Sequence, residues 1–99
     1  MLKLPLAALV ISAALATGAH AQLAPAALQQ AEQNFKNANT SGSGSLSADE
    51  FKAFIDLNAA AQIGRAAKIK ANDAYSRAFS KVDGNGDGLI TWQEYLAAQ

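Results

Sequence analysis

The chain has 99 residues, no cysteine, one histidine, and eight basic against eight acidic side chains, so its formal net charge is zero. That is enough for one small domain, and it excludes both a disulfide framework and the basic excess that nucleic-acid binding asks for. The N-terminus comes first. Lys3 precedes Leu4–Ala16, a 13-residue run of mostly apolar residues, and Ala19-His20-Ala21 then places small residues at the two positions a signal peptidase reads. This pattern predicts an export signal over residues 1–21, cleaved between Ala21 and Gln22.

The apolar run falls short of the ~20 residues a spanning helix needs, and no later stretch approaches that length. With no cysteine to lipidate, the expectation is a periplasmic or secreted product free of the membrane. Removing 21 of the 99 residues leaves a domain of 78, residues 22–99, with seven basic and eight acidic side chains and a net charge of −1. A chain this small has a thin core, and domains of its size often add a disulfide, a metal or a partner. With no cysteine, disulfides are ruled out, which makes a metal the natural suspect.

In chain order, Pro25 suits a first helical turn, and Ala26–Ala38 reads as a helix with Leu28, Ala31 and Phe35 on one side. NTSGSGS, Asn39–Ser45, breaks it. Ser47-Ala48-Asp49-Glu50 has the S-x-x-E form of a capping box, opening a helix with Phe51, Phe54, Ile55 and Asn58 spaced for one face. Alanine-rich sequence runs on to about Ala71, interrupted by Gly64, and its Arg65, Lys68 and Lys70 read as a solvated helix face. Asn72 is placed to cap a helix over Asp73–Val82, with Tyr75, Phe79 and Val82 inward. After a glycine- and acid-rich loop, Thr91-Trp92-Gln93-Glu94 forms a second capping-box pattern that starts a short last helix.

The chain repeats itself. A shift of 44 residues lays NTSGSGSLSADEF over DGNGDGLITWQEY, so that Gly44 meets Gly88, Leu46 meets Ile90, Glu50 meets Glu94 and, upstream, Phe35 meets Phe79. The expected architecture is all-α, helix-loop-helix twice, joined by an alanine-rich helical connector.

The second loop, Asp83–Glu94, crowds three carboxylates and three glycines into twelve residues. Like charges this close repel, which points to a cation among them. A hard divalent ion such as calcium takes six to eight oxygens in a flexible shell. Asp83, Asn85 and Asp87 supply side-chain oxygens, Gly88 permits the sharp turn, the carbonyl of Leu89 can point inward, Thr91 can hold a water, and Glu94 can close the shell with two oxygens. Ile90 faces away and is placed to pair with Leu46.

Asp83-x-Asn85-x-Asp87-Gly88-x-Ile90-x-x-x-Glu94, flanked by Phe79, Val82 and Tyr95, resembles the loop of the EF-hand family at every diagnostic position. The resemblance implies that Asp83, Asn85, Asp87, Leu89, Thr91 and Glu94 coordinate calcium. The first loop, Asn39–Glu50, departs from that pattern. Asn39 stands where an aspartate is usual, and Ser41 and Ser43 replace acidic or amide ligands, while Gly44, Leu46 and Glu50 keep their places. It resembles a degenerate EF-hand in which Asn39, Ser41, Ser43, Ser45 and Glu50 form a weaker ligand set with a single charge. Dockerin modules share the D-x-N-x-D-G opening but lack a full entering helix and usually end the loop in aspartate.

The function expected is calcium binding by a small exported module, in a structural, buffering or sensor role. Its mature chain has no methionine for a sensor's apolar groove, though Phe51, Phe54 and Tyr95 are candidates for receiving a protein partner. An enzyme is not expected, because His20 leaves with the signal and neither a Ser/His/Asp set nor a phosphate-binding loop is present. The alternative is a metal-independent interaction module of the cell envelope.

Overall fold

The computed structural model of the protein describes residues 23–99, so the predicted signal and its cleavage point lie outside the described residues. The order of elements is α1 (Pro25–Ala38), β1 (Ser45–Leu46), α2 (Ala48–Ala60), α3 (Ala66–Ala71), α4 (Tyr75–Val82), β2 (Ile90–Thr91) and α5 (Trp92–Ala97). The fold is all-α apart from the two short strands, which pair antiparallel with Leu46 opposite Ile90 and Ser45 opposite Thr91. Both capping boxes form. Ser47 Oγ accepts from the Glu50 N–H while Glu50 Oε1 accepts from the Ser47 N–H, and Thr91 and Glu94 repeat the exchange. No helix of the described residues is long and apolar enough to cross a membrane.

Two helix boundaries differ from expectation for one reason. α2 stops at Ala60 because Gln62 turns left-handed (φ 56°), with its N–H bonded to Ala59 O and the Ile63 N–H to Asn58 O. α3 stops at Ala71 in the same way, with Asp73 left-handed (φ 50°), its N–H on Lys70 O and the Ala74 N–H on Ile69 O. Each is a Schellman closure, which satisfies carbonyls that the helix end leaves without partners. Asn72 therefore ends α3 instead of capping α4, and α4 begins at Tyr75 rather than Asp73.

The core gathers Phe35, Leu46, Phe51, Phe54, Ile55, Ile63, Ile90 and Tyr95, all buried. Phe51, Phe54, Ile55 and Asn58 share the buried face of α2, as the spacing predicts. On α1 the inward face is Ala31, Asn34, Phe35 and Ala38. Leu28 lies on its outer flank and is 36% exposed, so the expected place for Leu28 on that face is corrected. Aromatic edges knit the helices together: Phe35 meets both Phe54 and Trp92, Phe51 meets Phe79, and Phe54 meets Tyr95, with centroids 4.9 to 5.5 Å apart. Trp92 stacks on Tyr95 at 5.3 Å. Phe51, Phe54 and Tyr95 are thus core residues rather than the partner-receiving surface expected of them. They pack on one another and on the helices around them, and among the described residues the large apolar side chains left exposed are Leu28, Leu57, Leu89 and Leu96.

Candidate metal centre

The loop between α4 and β2 is shaped by its own side chains. Gly88 takes a left-handed backbone (φ 81°) that a side chain would strain, and its N–H donates to Asp83 Oδ2 at 2.8 Å, closing the loop on its first residue. Within that ring, Asn85 Oδ1 accepts from the Asp87 N–H at 3.1 Å and Asp87 Oδ1 accepts from the Leu89 N–H at 3.0 Å. These short Asx-type bonds aim the alternating side chains. Glu94 reaches in from the first turn of α5. Its Oε1 is held by the Thr91 N–H at 3.0 Å, and its Oε2 accepts from the Asn85 N–H at 3.4 Å.

The result is a convergence of charge. One carboxylate oxygen from each of Asp83, Asp87 and Glu94 lies within 4.8 Å of the others. Asp83 Oδ1 is buried and has no hydrogen-bond partner among the described residues. An orphaned carboxylate oxygen beside two further carboxylates is costly unless a cation offsets it. The donor set is all oxygen, which suits a hard divalent ion. Of the predicted ligands, Asp83, Asp87 and Glu94 are brought together. Asn85 lies between them, bonded through its N–H to Glu94 Oε2. Thr91 Oγ1 is engaged in the α5 cap, 3.1 Å from the Glu94 N–H. The side chain of Leu89 is exposed and carries no donor atom, so its backbone carbonyl is the one group it can offer an ion.

The first loop has the same outline with different contents. Ser41 Oγ donates to Asn39 Oδ1 at 3.1 Å or to Ser43 Oγ at 3.2 Å, and Ser43 Oγ donates to the Ser45 carbonyl at 2.9 Å. Glu50 Oε1 accepts from the Ser47 N–H at 2.9 Å, and its Oε2 accepts from the Ser41 N–H at 3.0 Å. Those two backbone donors, Ser47 foremost, draw the Glu50 carboxyl down to about 2. The oxygens of Asn39, Ser43, Ser45 and Glu50 are thus engaged by N–H and O–H groups of the loop itself.

Residues 76–97, from α4 through the loop to the end of α5, match a family model described as an EF hand. The match supports an EF hand over the second helix-loop-helix. No curated protein and no solved structure matches the chain. The matched segment holds all three clustered carboxylates, so sequence family and local geometry point to the same chemistry, calcium binding.

Two features of the site's surroundings escape sequence reading. Asn34 is buried within the α1 face and bonds Asn58 of α2. Tyr75 Oη donates to Asp56 Oδ1 at 2.6 Å, tying α4 to α2, and that bond, with burial, pushes the Tyr75 hydroxyl up to about 12. Only the unbroken spacing of Asn34 with Ala31, Phe35 and Ala38 could have flagged the first. Nothing local flags the second.

Proposed function

We propose that this protein is an exported calcium-binding module with one competent site, the loop 83–94, and that the loop 39–50 is its metal-free partner. Asp83, Asn85, Asp87, the Leu89 carbonyl, Thr91 and Glu94 would hold the ion. Calcium would supply the positive charge that three converging carboxylates lack. The observation that carries the reading is the buried, unpartnered Oδ1 of Asp83, one of the three clustered carboxylates. The first loop brings one charge, on Glu50, and its hydroxyls already bond the Asn39 amide oxygen and the Ser45 carbonyl, so an ion there would have to break protein hydrogen bonds as well as shed water. The buried aromatic core favours a structural or buffering role over that of a sensor presenting a groove. Export rests on the N-terminal pattern of residues 1–21.

Calorimetric titration with calcium tests the assignment. The expected result is one ion per chain, with a dissociation constant on the order of 10⁻⁴–10⁻³ M, as is common for extracellular modules. Glu94→Gln keeps the size of the side chain but removes its charge, and should abolish most of the affinity, while Glu50→Gln should change it little. Neither heat nor a change in helicity from the wild type would refute calcium binding and leave the metal-independent interaction module in its place.

A further inference from the structure

Polar side chains on three helices, buried except for Gln30 at one end, form a single run of hydrogen bonds. Gln30 Nε2 on α1 donates to Asn34 Oδ1 at 2.9 Å, and Asn34 Nδ2 donates to Asn58 Oδ1 on α2 at 2.9 Å. Asn58 Nδ2 then donates to the Tyr95 hydroxyl on α5 at 3.3 Å. Asn34, Asn58 and Tyr95 are 4%, 1% and 4% exposed. Water cannot replace a partner at that depth, so breaking the run strands amide groups at their full desolvation cost. A satisfied polar network of this kind rigidifies the core around one arrangement.

The run ends next to the site. Tyr95 directly follows Glu94 on α5, a helix of six residues whose only buried side chain is that of Tyr95. So short a helix has no stability of its own and takes its position from packing. The ring of Tyr95 lies edge-on to Phe54 and stacks on Trp92, contacts that tolerate sliding. The bond from Asn58 is directional and fixes how deep the ring sits.

We infer that Tyr95 is a positioning residue for the cation: through Asn58 and Asn34 it pins α5 to α1 and α2, holding Glu94 over the loop before the ion arrives and keeping the helices closed after it binds. The inference rests on the calcium reading of the loop 83–94. It makes affinity depend on a hydroxyl that does not belong to the ligand set. It also keeps the aromatic core shut in the bound state, because moving α5 away would leave the Asn58 amide buried without its acceptor.

The test compares the wild type with Tyr95→Phe, Asn58→Leu and the double variant, at a temperature where circular dichroism shows each fully folded. Calcium affinity is read by calorimetry, and groove exposure by an apolar fluorescent dye. Tyr95→Phe keeps both ring contacts and should weaken calcium binding about three- to tenfold, the scale of one buried hydrogen bond. Calcium should then raise dye binding to Tyr95→Phe and not to the wild type. The double variant should bind no more weakly than the weaker single, because the residues act as one unit. Should Tyr95→Phe fail to fold, Asn34→Leu, at the far end of the run, is put through the same comparison. A Tyr95→Phe variant that melts lower with and without calcium alike, at unchanged affinity, makes the role merely structural and overturns the inference. So does a wild type that binds calcium and exposes a dye site. A wild type that binds no calcium overturns the calcium reading itself, and this inference with it.

Discussion

Leu46 lies directly opposite Ile90 in the antiparallel pairing that joins the two loops, and neither side chain has any exposed surface. They occupy the same place in the 44-residue repeat, so the better-charged loop is braced at its centre by the one with serines in place of acids. Stability and ion binding therefore meet at this contact. Ile90→Ala should cost about 2–4 kcal/mol, the range for deleting a buried aliphatic side chain. That is a large part of what so small a domain has. Denaturant unfolding in chelator should show the loss, and saturating calcium should recover part of it by favouring the folded state.

Calcium alone should raise the melting midpoint of the wild type, because only the folded loop assembles the site. Calcium in ~10-fold excess over its dissociation constant adds about 1.4 kcal/mol, and ~100-fold excess about 2.7. At roughly 4–8 °C per kcal/mol for a domain of this size, the larger shift is unmistakable by calorimetry. A midpoint indifferent to calcium and chelator contradicts the assignment.

The first loop should be convertible. Asn39→Asp restores the first carboxylate. Ser43→Asp adds a second and removes the hydroxyl that occupies the Ser45 carbonyl at 2.9 Å. The double substitution should produce a second calcium equivalent in the titration. Either change alone should do less, since each leaves one of the two obstacles in place.

Gln62→Gly should stabilise the fold by roughly 0.5–1 kcal/mol, because glycine relieves the left-handed backbone that closes α2. Asp73→Gly, at the matching position after α3, should gain less, because aspartate tolerates that conformation better than glutamine. Paired urea unfolding curves rank the two. Equal effects, or a loss at Gln62, would count against strain at these turns.

Stability should fall at both ends of the pH range, for different residues. Glu50 is drawn from an ordinary 4.5 to about 2, so its contribution is complete above 4.5 and is lost as pH falls towards 2. Tyr75 moves the other way, from 10 to about 12, under its bond to Asp56, its burial and the nearby charges of Asp56 and Asp73. Its contribution is complete below pH 10 and is lost as pH rises towards 12. Unfolding measured in chelator should show Glu50→Gln flattening the acid limb alone and Tyr75→Phe the alkaline limb alone.

What the sequence made legible were interactions between near neighbours. Ser47 with Glu50 and Thr91 with Glu94 are three residues apart, and the ligand spacing of the second loop lies within twelve. The pairing of Leu46 with Ile90 was also within reach, because the internal repeat supplied the long-range register. Helix ends at Gln62 and Asp73 were not, because neither position carries the glycine that usually marks a left-handed closure. The buried run through Asn34 was hidden for a different reason. A polar residue on an apolar face reads as a flaw until its partner, 24 residues away, is in view. Phe51, Phe54 and Tyr95 were recognisable as apolar, but whether an aromatic side chain faces the core or a partner is decided by what packs over it.

Trp92 gives the protein an optical label of its own. It is the chain's single tryptophan, two residues from Glu94, stacked on Tyr95 and edge-on to Phe35. Its indole therefore touches both the short helix that carries Glu94 and the helix leading into the serine loop. Any shift of α5 relative to α1 changes the surroundings of one chromophore, and emission from an unlabelled sample follows that shift from a single, known place in the fold.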